Sequence, residues 1–223
     1  MIILLALVLS CTASAQDVNT DSSWWESYNK SNERKSDKSK TPRSFFALKV
    51  QAGVNFDHLS GSAVKEFEGG LGFNTGISMD FWNNKWLGLE TGLYYTMYNI
   101  GFGGDMKEYT ATMNYLEFQV LANVRKILDD VVLELNLGFG FDLGLSAPVK
   151  RDNKKTADDL FVGPKNGTPP FKDGSTCLLY GLTFKFSDFY IRAMGHHGIS
   201  NIINWGTNKG YIRNYEVSLG AIF

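Results

Sequence analysis

The sequence predicts an all-β fold: a single eight-stranded antiparallel transmembrane β-barrel with short periplasmic turns and long extracellular loops. Three observations predict it. Residues 131–145, VVLELNLGFGFDLGL, put a large apolar side chain at every odd position and Glu134, Asn136, Gly138, Gly140, Asp142 and Gly144 at even ones. A period of two is a strand with two chemically opposite faces. Seven further segments alternate in the same way, and the connections between them run short, long, short, long, as in an outer-membrane barrel.

The chain begins MIILLALVLSCTASAQ. An apolar core from Ile2 to Leu9 and the small residues Ala13-Ser14-Ala15 predict a secretory signal over 1–15, cut after Ala15. A rival reading makes Cys11 the lipidated residue of a lipoprotein signal. Residues 16–44 are rich in Ser, Asn, Lys and Asp, interrupted by Trp24, Trp25 and Tyr28. Such a segment buries too little to fold alone and is expected to be a disordered periplasmic leader.

The barrel is predicted over 45–223. Its strands are 45–57, 70–82, 86–98, 112–125, 131–145, 176–186, 189–198 and 211–223. Short turns fall at 83–85, 126–130 and 187–188. Long loops fall at 58–69, 99–111, 146–175 and 199–210. An even strand count puts both termini on the short-turn, periplasmic side. Loop 146–175, with Lys150, Arg151, Lys154 and Lys155 and then Pro164, Pro169 and Pro170, is expected to be extracellular and mobile.

A soluble lipid-binding barrel would also alternate, with its oily face inward. The other face decides between the two. It carries Gly53, Gly72, Gly76, Gly88, Gly92, Gly138, Gly140, Gly144, Gly181 and Gly220. Outside a soluble barrel these glycines weaken strands for no packing gain. Inside a narrow barrel they make room for bulky polar neighbours. Those neighbours are Lys49, Asp80, Glu90, Glu117, Glu134, Asp142, Lys185, Arg192 and Glu216. Lys and Arg are nearly absent from the oily face, Arg213 near a loop end being the exception. Trp82, Trp86, Phe186 and Phe189 flank short turns and are expected to form a periplasmic aromatic girdle.

Asn114-Tyr115-Leu116-Glu117-Phe118-Gln119-Val120-Leu121 resembles a strand of the PorT-like outer-membrane β-barrel "porin family" proteins. Tyr190-Ile191-Arg192 leading into Gly198-Ile199-Ser200-Asn201-Ile202 is similar to the end of that family's seventh strand. Val217 to Phe223 is similar to its closing strand, with Gln119 and Ala221 as departures. The resemblance covers 45–223 and implies fold and location more than activity. It implies reading of the C-terminal Phe223 by the barrel-assembly machinery, and members include one with a part in protein secretion.

Net charge is −1, which gives no field to attract nucleic acid. His58, His196 and His197 are the only histidines, and no spaced ligand set suggests a metal or cofactor site. His197 and Ser200 are three apart, so a regular strand puts them on opposite faces. His196 and Ser200 share the inward face, away from lipid, which speaks against a lipid A deacylase arrangement. Glu90, Glu117, Glu134, Lys185, Arg192 and Glu216 are expected to form an interior polar network that fills the barrel. A non-enzymatic envelope component is therefore expected, with outer-membrane lipids around it and an envelope partner held through 17–43 or loop 146–175. A narrow gated channel and a lipid-modifying enzyme are the alternatives.

Overall fold

A computed structural model describes residues 45–62, 67–82, 86–104, 107–128, 131–152, 154–163, 168–204 and 209–223. The expected signal 1–15 and leader 16–44 lie outside them. Ten strands appear in chain order: β1 (Phe45–Ser60), β2 (Phe67–Trp82), β3 (Leu87–Phe102), β4 (Tyr109–Leu128), β5 (Val131–Ser146), β6 (Pro148–Arg151), β7 (Lys154–Asp159), β8 (Gly174–Phe186), β9 (Phe189–Gly198) and β10 (Tyr211–Ile222). Eight of them run β3-β2-β1-β10-β9-β8-β5-β4, and pairing of β3 with β4 closes the ring. Every pairing is antiparallel. Closure leaves the barrel without an open sheet edge, which is what a strand-built membrane span requires. At the seam Phe223 and Leu48 exchange both backbone hydrogen bonds, at 2.8 and 3.1 Å.

The two faces separate as the alternation demands. Leu71, Leu137, Leu143, Phe56 and Leu219 stand exposed on the outside, while Lys49, Asn55, Glu90, Glu134 and Arg192 are buried within. On β1 the outward set runs from Phe46 to Phe56. Ten residue steps at the usual rise, tilted by about 45°, give a band roughly 24 Å tall, close to the apolar belt of outer-membrane barrels.

Most strands extend beyond their predicted ends on the side away from the termini. There the polarity of the faces inverts. Leu59, Ile100 and Ala111 beyond the predicted ends, and Met113 and Ile212 just inside them, point inward and are buried, and His58 and Arg213 point outward. An apolar side chain on the inner face interrupts the oily-out pattern, so sequence periodicity places the strand end too early. The ladder itself continues, with Leu59 opposite Ile212 and Ile100 opposite Ala111.

Two further expectations are corrected. Trp82 is not part of an outer aromatic girdle. It shares the parity of Asp80, is 2% exposed, and lies inside the turn end with the Arg125 guanidinium 3.8 Å from its ring. Gly88 makes that possible, because a Cβ there would sit 2.7 Å from the indole. The outer aromatics at this end are Phe46, Phe81, Trp86, Phe186, Phe189 and Phe223. The segment 146–175, expected as one long loop, contains two strands. Among its described residues β6 and β7 form a hairpin that extends the sheet from β4. The segment then returns across the barrel mouth, where Phe171 bridges to Ile203.

Candidate functional site

The interior is filled in three layers, and strand register sets each one. Nearest the termini lies an ion-paired layer. Lys49 Nζ reaches Glu90 Oε2 at 2.6 Å and Asp80 Oδ1 at 2.8 Å. Lys185 Nζ reaches Asp80 Oδ2 at 2.8 Å and Glu134 Oε1 at 2.5 Å. Arg192 donates from Nη1 and Nη2 to the two oxygens of Glu90, at 2.8 and 2.7 Å. Such a bidentate pair fixes geometry as well as charge. Three cations thus face three carboxylates. A chain of hydrogen bonds completes the layer: Arg192 Nε donates to Thr183, Thr183 to Asn136, Asn136 to Asn123, and Asn123 to Glu90. Buried charges demand this degree of pairing, since each costs several kcal/mol to desolvate.

The second layer is acidic. Glu117, Asp142 and Glu216 are buried around His196, with Asp57 farther toward the mouth. Glu117 Oε1 lies 3.2 Å from His196 Nδ1, and Glu216 Oε2 lies 3.3 Å from His196 Nε2. Gln119 and Thr96 donate to Glu117, Gln51 donates to Glu216, and Ser175 donates to Asp142. Cys177 Sγ is 3.9 Å from Glu117 Oε1. Gly140 opens the space for both, because a Cβ there would lie 2.6 Å from the thiol and 2.7 Å from the carboxylate.

The third layer is an apolar cap. Leu59, Tyr98, Ile100, Met113, Tyr115 and Ile212 from the barrel strands meet Ala147, Val149, Leu160, Phe171, Ile202 and Ile203 from the segments after β5 and β9. Backbone bonds pin it: Phe171 N–H to Leu160 O (3.1 Å), Lys172 N–H to Ile202 O (2.7 Å) and Asn204 N–H to Pro170 O (3.0 Å). Asp159 ties the hairpin end by accepting from Ala147 and Phe161 N–H.

Of the six residues expected in the network, the structure places Glu90, Glu134, Lys185 and Arg192 in the first layer. Glu117 and Glu216 lie in the second, and Gln51 joins the layers by bonding Arg192, Tyr190 and Glu216. Sequence reading missed His196 and Cys177 as partners of Glu117. They come from β9, β8 and β4, so no local spacing announces them; inward parity was the one available signal. The pairing of His with Ser200 does not form. His196 is taken up between two carboxylates, and Ser200 Oγ accepts from Thr176 N–H at 2.7 Å.

The outer membrane protein beta-barrel domain family matches residues 26–204. The chain belongs to this family. The outer-membrane barrel is similar in fold to the outer membrane enzyme PagL, at 18% identity over 78% of this chain and 98% of that one, with a TM-score of 0.50. It is also similar to OprG from Pseudomonas aeruginosa, at 12% identity over 82% and 98% of the two chains and a TM-score of 0.47. Ail, the attachment invasion locus protein of Yersinia pestis, matches at 15% identity over 80% and 99%, with a TM-score of 0.45. No curated protein matches the chain in sequence. The protein is an outer-membrane barrel with an exposed apolar band.

Proposed function

We propose that this outer-membrane barrel is a non-enzymatic binding or assembly component of the envelope, of the PorT-like branch, that works at its loop end and through its N-terminal leader. The observation that carries this reading is the filled interior. A solute moving along the axis would have to part the ion pairs around Glu90 and then cross the cap around Phe171. Eight strands give a lumen only wide enough for side chains or one small ligand. The depression beside Phe161, Phe171 and Lys172 holds about 280 Å³, near the lower edge of small-molecule sites. A macromolecular partner at the loop surface fits this geometry better than a small substrate.

Outer-membrane lipid is the second partner in this reading. His58, Arg213 and His197 lie in register on β1, β10 and β9, at the loop-side rim of the apolar band. Phe223, outward at the seam, is the residue proposed to be read by the barrel-assembly machinery.

Planar-bilayer recording of the refolded chain is expected to show no large open conductance. Affinity capture from solubilised envelopes is expected to recover a defined partner that is lost on removing residues 17–43 or 148–159. A wide, steady conductance would overturn the proposal, as would lipid A modified by the purified protein.

A further inference from the structure

We infer that Glu117, Cys177 and His196 form a binding site for a divalent transition-metal ion of the zinc class inside the barrel. One oxygen, one sulfur and one nitrogen from these side chains all lie within 4.8 Å of one another, and all three residues are buried. For tetrahedral zinc, with bonds of roughly 2.0–2.3 Å, neighbouring ligand atoms should stand about 3.3–3.6 Å apart. Oε1 of Glu117 and Nδ1 of His196 are 3.2 Å apart, and Oε1 and Cys177 Sγ are 3.9 Å apart. Small rotamer shifts bring the set to bonding distance.

Independent features point the same way. Both imidazole nitrogens of His196 are buried without a hydrogen bond of good geometry. Nδ1 faces Glu117 Oε1, while Nε2 faces Glu216 Oε2. A metal-bound histidine typically gives its other N–H to a carboxylate, which fixes the ring and its tautomer. Glu216 is placed for that positioning role, and Gln51 steadies it from the other side at 2.9 Å. Among the described residues no Lys or Arg side chain lies in this layer. Glu117 stands directly opposite Asp142 on the neighbouring strand, both buried. Opposed like charges repel. Lys49, Lys185 and Arg192 are engaged with Asp80, Glu90 and Glu134 in the layer below. A divalent cation between Glu117, Cys177 and His196 lowers the negative excess by one net charge, because the thiol gives up its proton when it binds. The mixed nitrogen, sulfur and oxygen set favours zinc-class ions over magnesium or calcium, which take oxygen ligands.

Both ends of the interior are filled, so the ion is expected to enter during folding. The full chain should be refolded with stoichiometric Co²⁺, an optical stand-in for Zn²⁺, and in parallel with Zn²⁺ followed by elemental analysis. The expected result is a thiolate-to-cobalt charge-transfer band with tetrahedral d–d bands, and retained zinc after extensive dialysis. Cys177→Ser is expected to abolish the charge-transfer band while keeping heat-modifiable migration on gels. Glu216→Gln is expected to weaken affinity by about 10–100-fold, as for other carboxylates behind a ligating histidine. Wild-type protein that refolds yet retains neither metal overturns the site, whatever the variants do. An unchanged charge-transfer band in Cys177→Ser overturns it as well.

Discussion

Replacing Arg192 by Met tests whether the first interior layer is built on charge balance. Arg192 makes two bonds to Glu90, at 2.8 and 2.7 Å, one to Thr183 at 3.0 Å and one to Gln51 at 3.4 Å. Met fills much of the volume and removes all four. The layer then holds two cations, Lys49 and Lys185, against Asp80, Glu90 and Glu134. Glu90 keeps Lys49 at 2.6 Å and Asn123 at 3.2 Å but loses its bidentate partner. Breaking a buried pair from one side costs about 3–5 kcal/mol when the other charge is left unpaired; Glu90 keeps Lys49 and the Tyr94 hydroxyl, so the expected cost lies toward the lower end of that range. Adding Glu90→Gln restores the balance at two against two and is expected to recover a large part of the loss. The assay is reversible urea unfolding in lipid vesicles, followed by tryptophan fluorescence and gel mobility, for wild type, both single variants and the double. A coupling of about 2 kcal/mol or more is expected. A single-variant cost below about 1 kcal/mol, or strictly additive effects, would refute the reasoning.

Gly138→Ala should destabilise the barrel by about 1–3 kcal/mol in the same unfolding assay, since the new Cβ would lie 1.9 Å from Val120 O and 2.8 Å from Leu121 Cα. Leu137→Arg, outward in the middle of β5, should cost about 2–4 kcal/mol in a bilayer. Arg213→Leu, at the rim of the band, should change stability by less than about 1 kcal/mol; equal effects for the two would contradict the assigned membrane level. Phe171→Ala should loosen the cap locally, and trypsin should then cleave embedded protein faster at Lys150, Arg151 and Lys154. Truncating a buried Phe typically costs about 3–5 kcal/mol, so an unchanged cleavage rate would show that the cap does not hold the hairpin.

The transmembrane portion was legible in the sequence because lipid imposes a strict rule there. From Val131 to Leu145 each outward residue is apolar and each inward one, from Glu134 on, is small or polar, so strand, face and environment follow from one pattern. The inward positions of Glu90, Glu134, Lys185 and Arg192 follow from parity. Their pairing does not: Arg192 and Glu90 are brought together from β9 and β3, and only closure of the ring makes them neighbours. Cys177, His196 and Glu117 were hidden for the same reason. Trp82 was misread by proximity to a turn although its parity with Asp80 pointed inward. The β6–β7 hairpin was hidden by its charge, since Lys150, Arg151 and Lys154 suggest a solvated loop while Val149 carries the anchoring contact.

The inversion of polarity along β1 explains how one strand serves two solvents. Between Phe46 and Phe56 the outside is apolar and the inside holds Lys49, Gln51 and Asn55, because lipid lies outside and polar partners lie within. At His58 and Leu59 the assignment reverses, and β10 reverses in register at Arg213 and Ile212. Beyond that level the barrel obeys the rule of a soluble protein, with a polar exterior and an apolar core. The core needs material to fill it, and the segments after β5 and β9 supply Leu160, Phe171, Ile202 and Ile203. The cap is therefore a consequence of strands that outrun the membrane. An ion moving along the axis meets two barriers of opposite kind in series. One is a paired charge layer, which it must break at about 3–5 kcal/mol per pair. The other is a dry apolar layer, which gives it no ligand at all. A polar side chain that relieves one barrier leaves the other standing. Opening a path would require changing both, for example Arg192→Met together with loss of the 148–159 hairpin. Conductance is expected only in that combination, and its appearance in either single change would show that one layer alone seals the barrel.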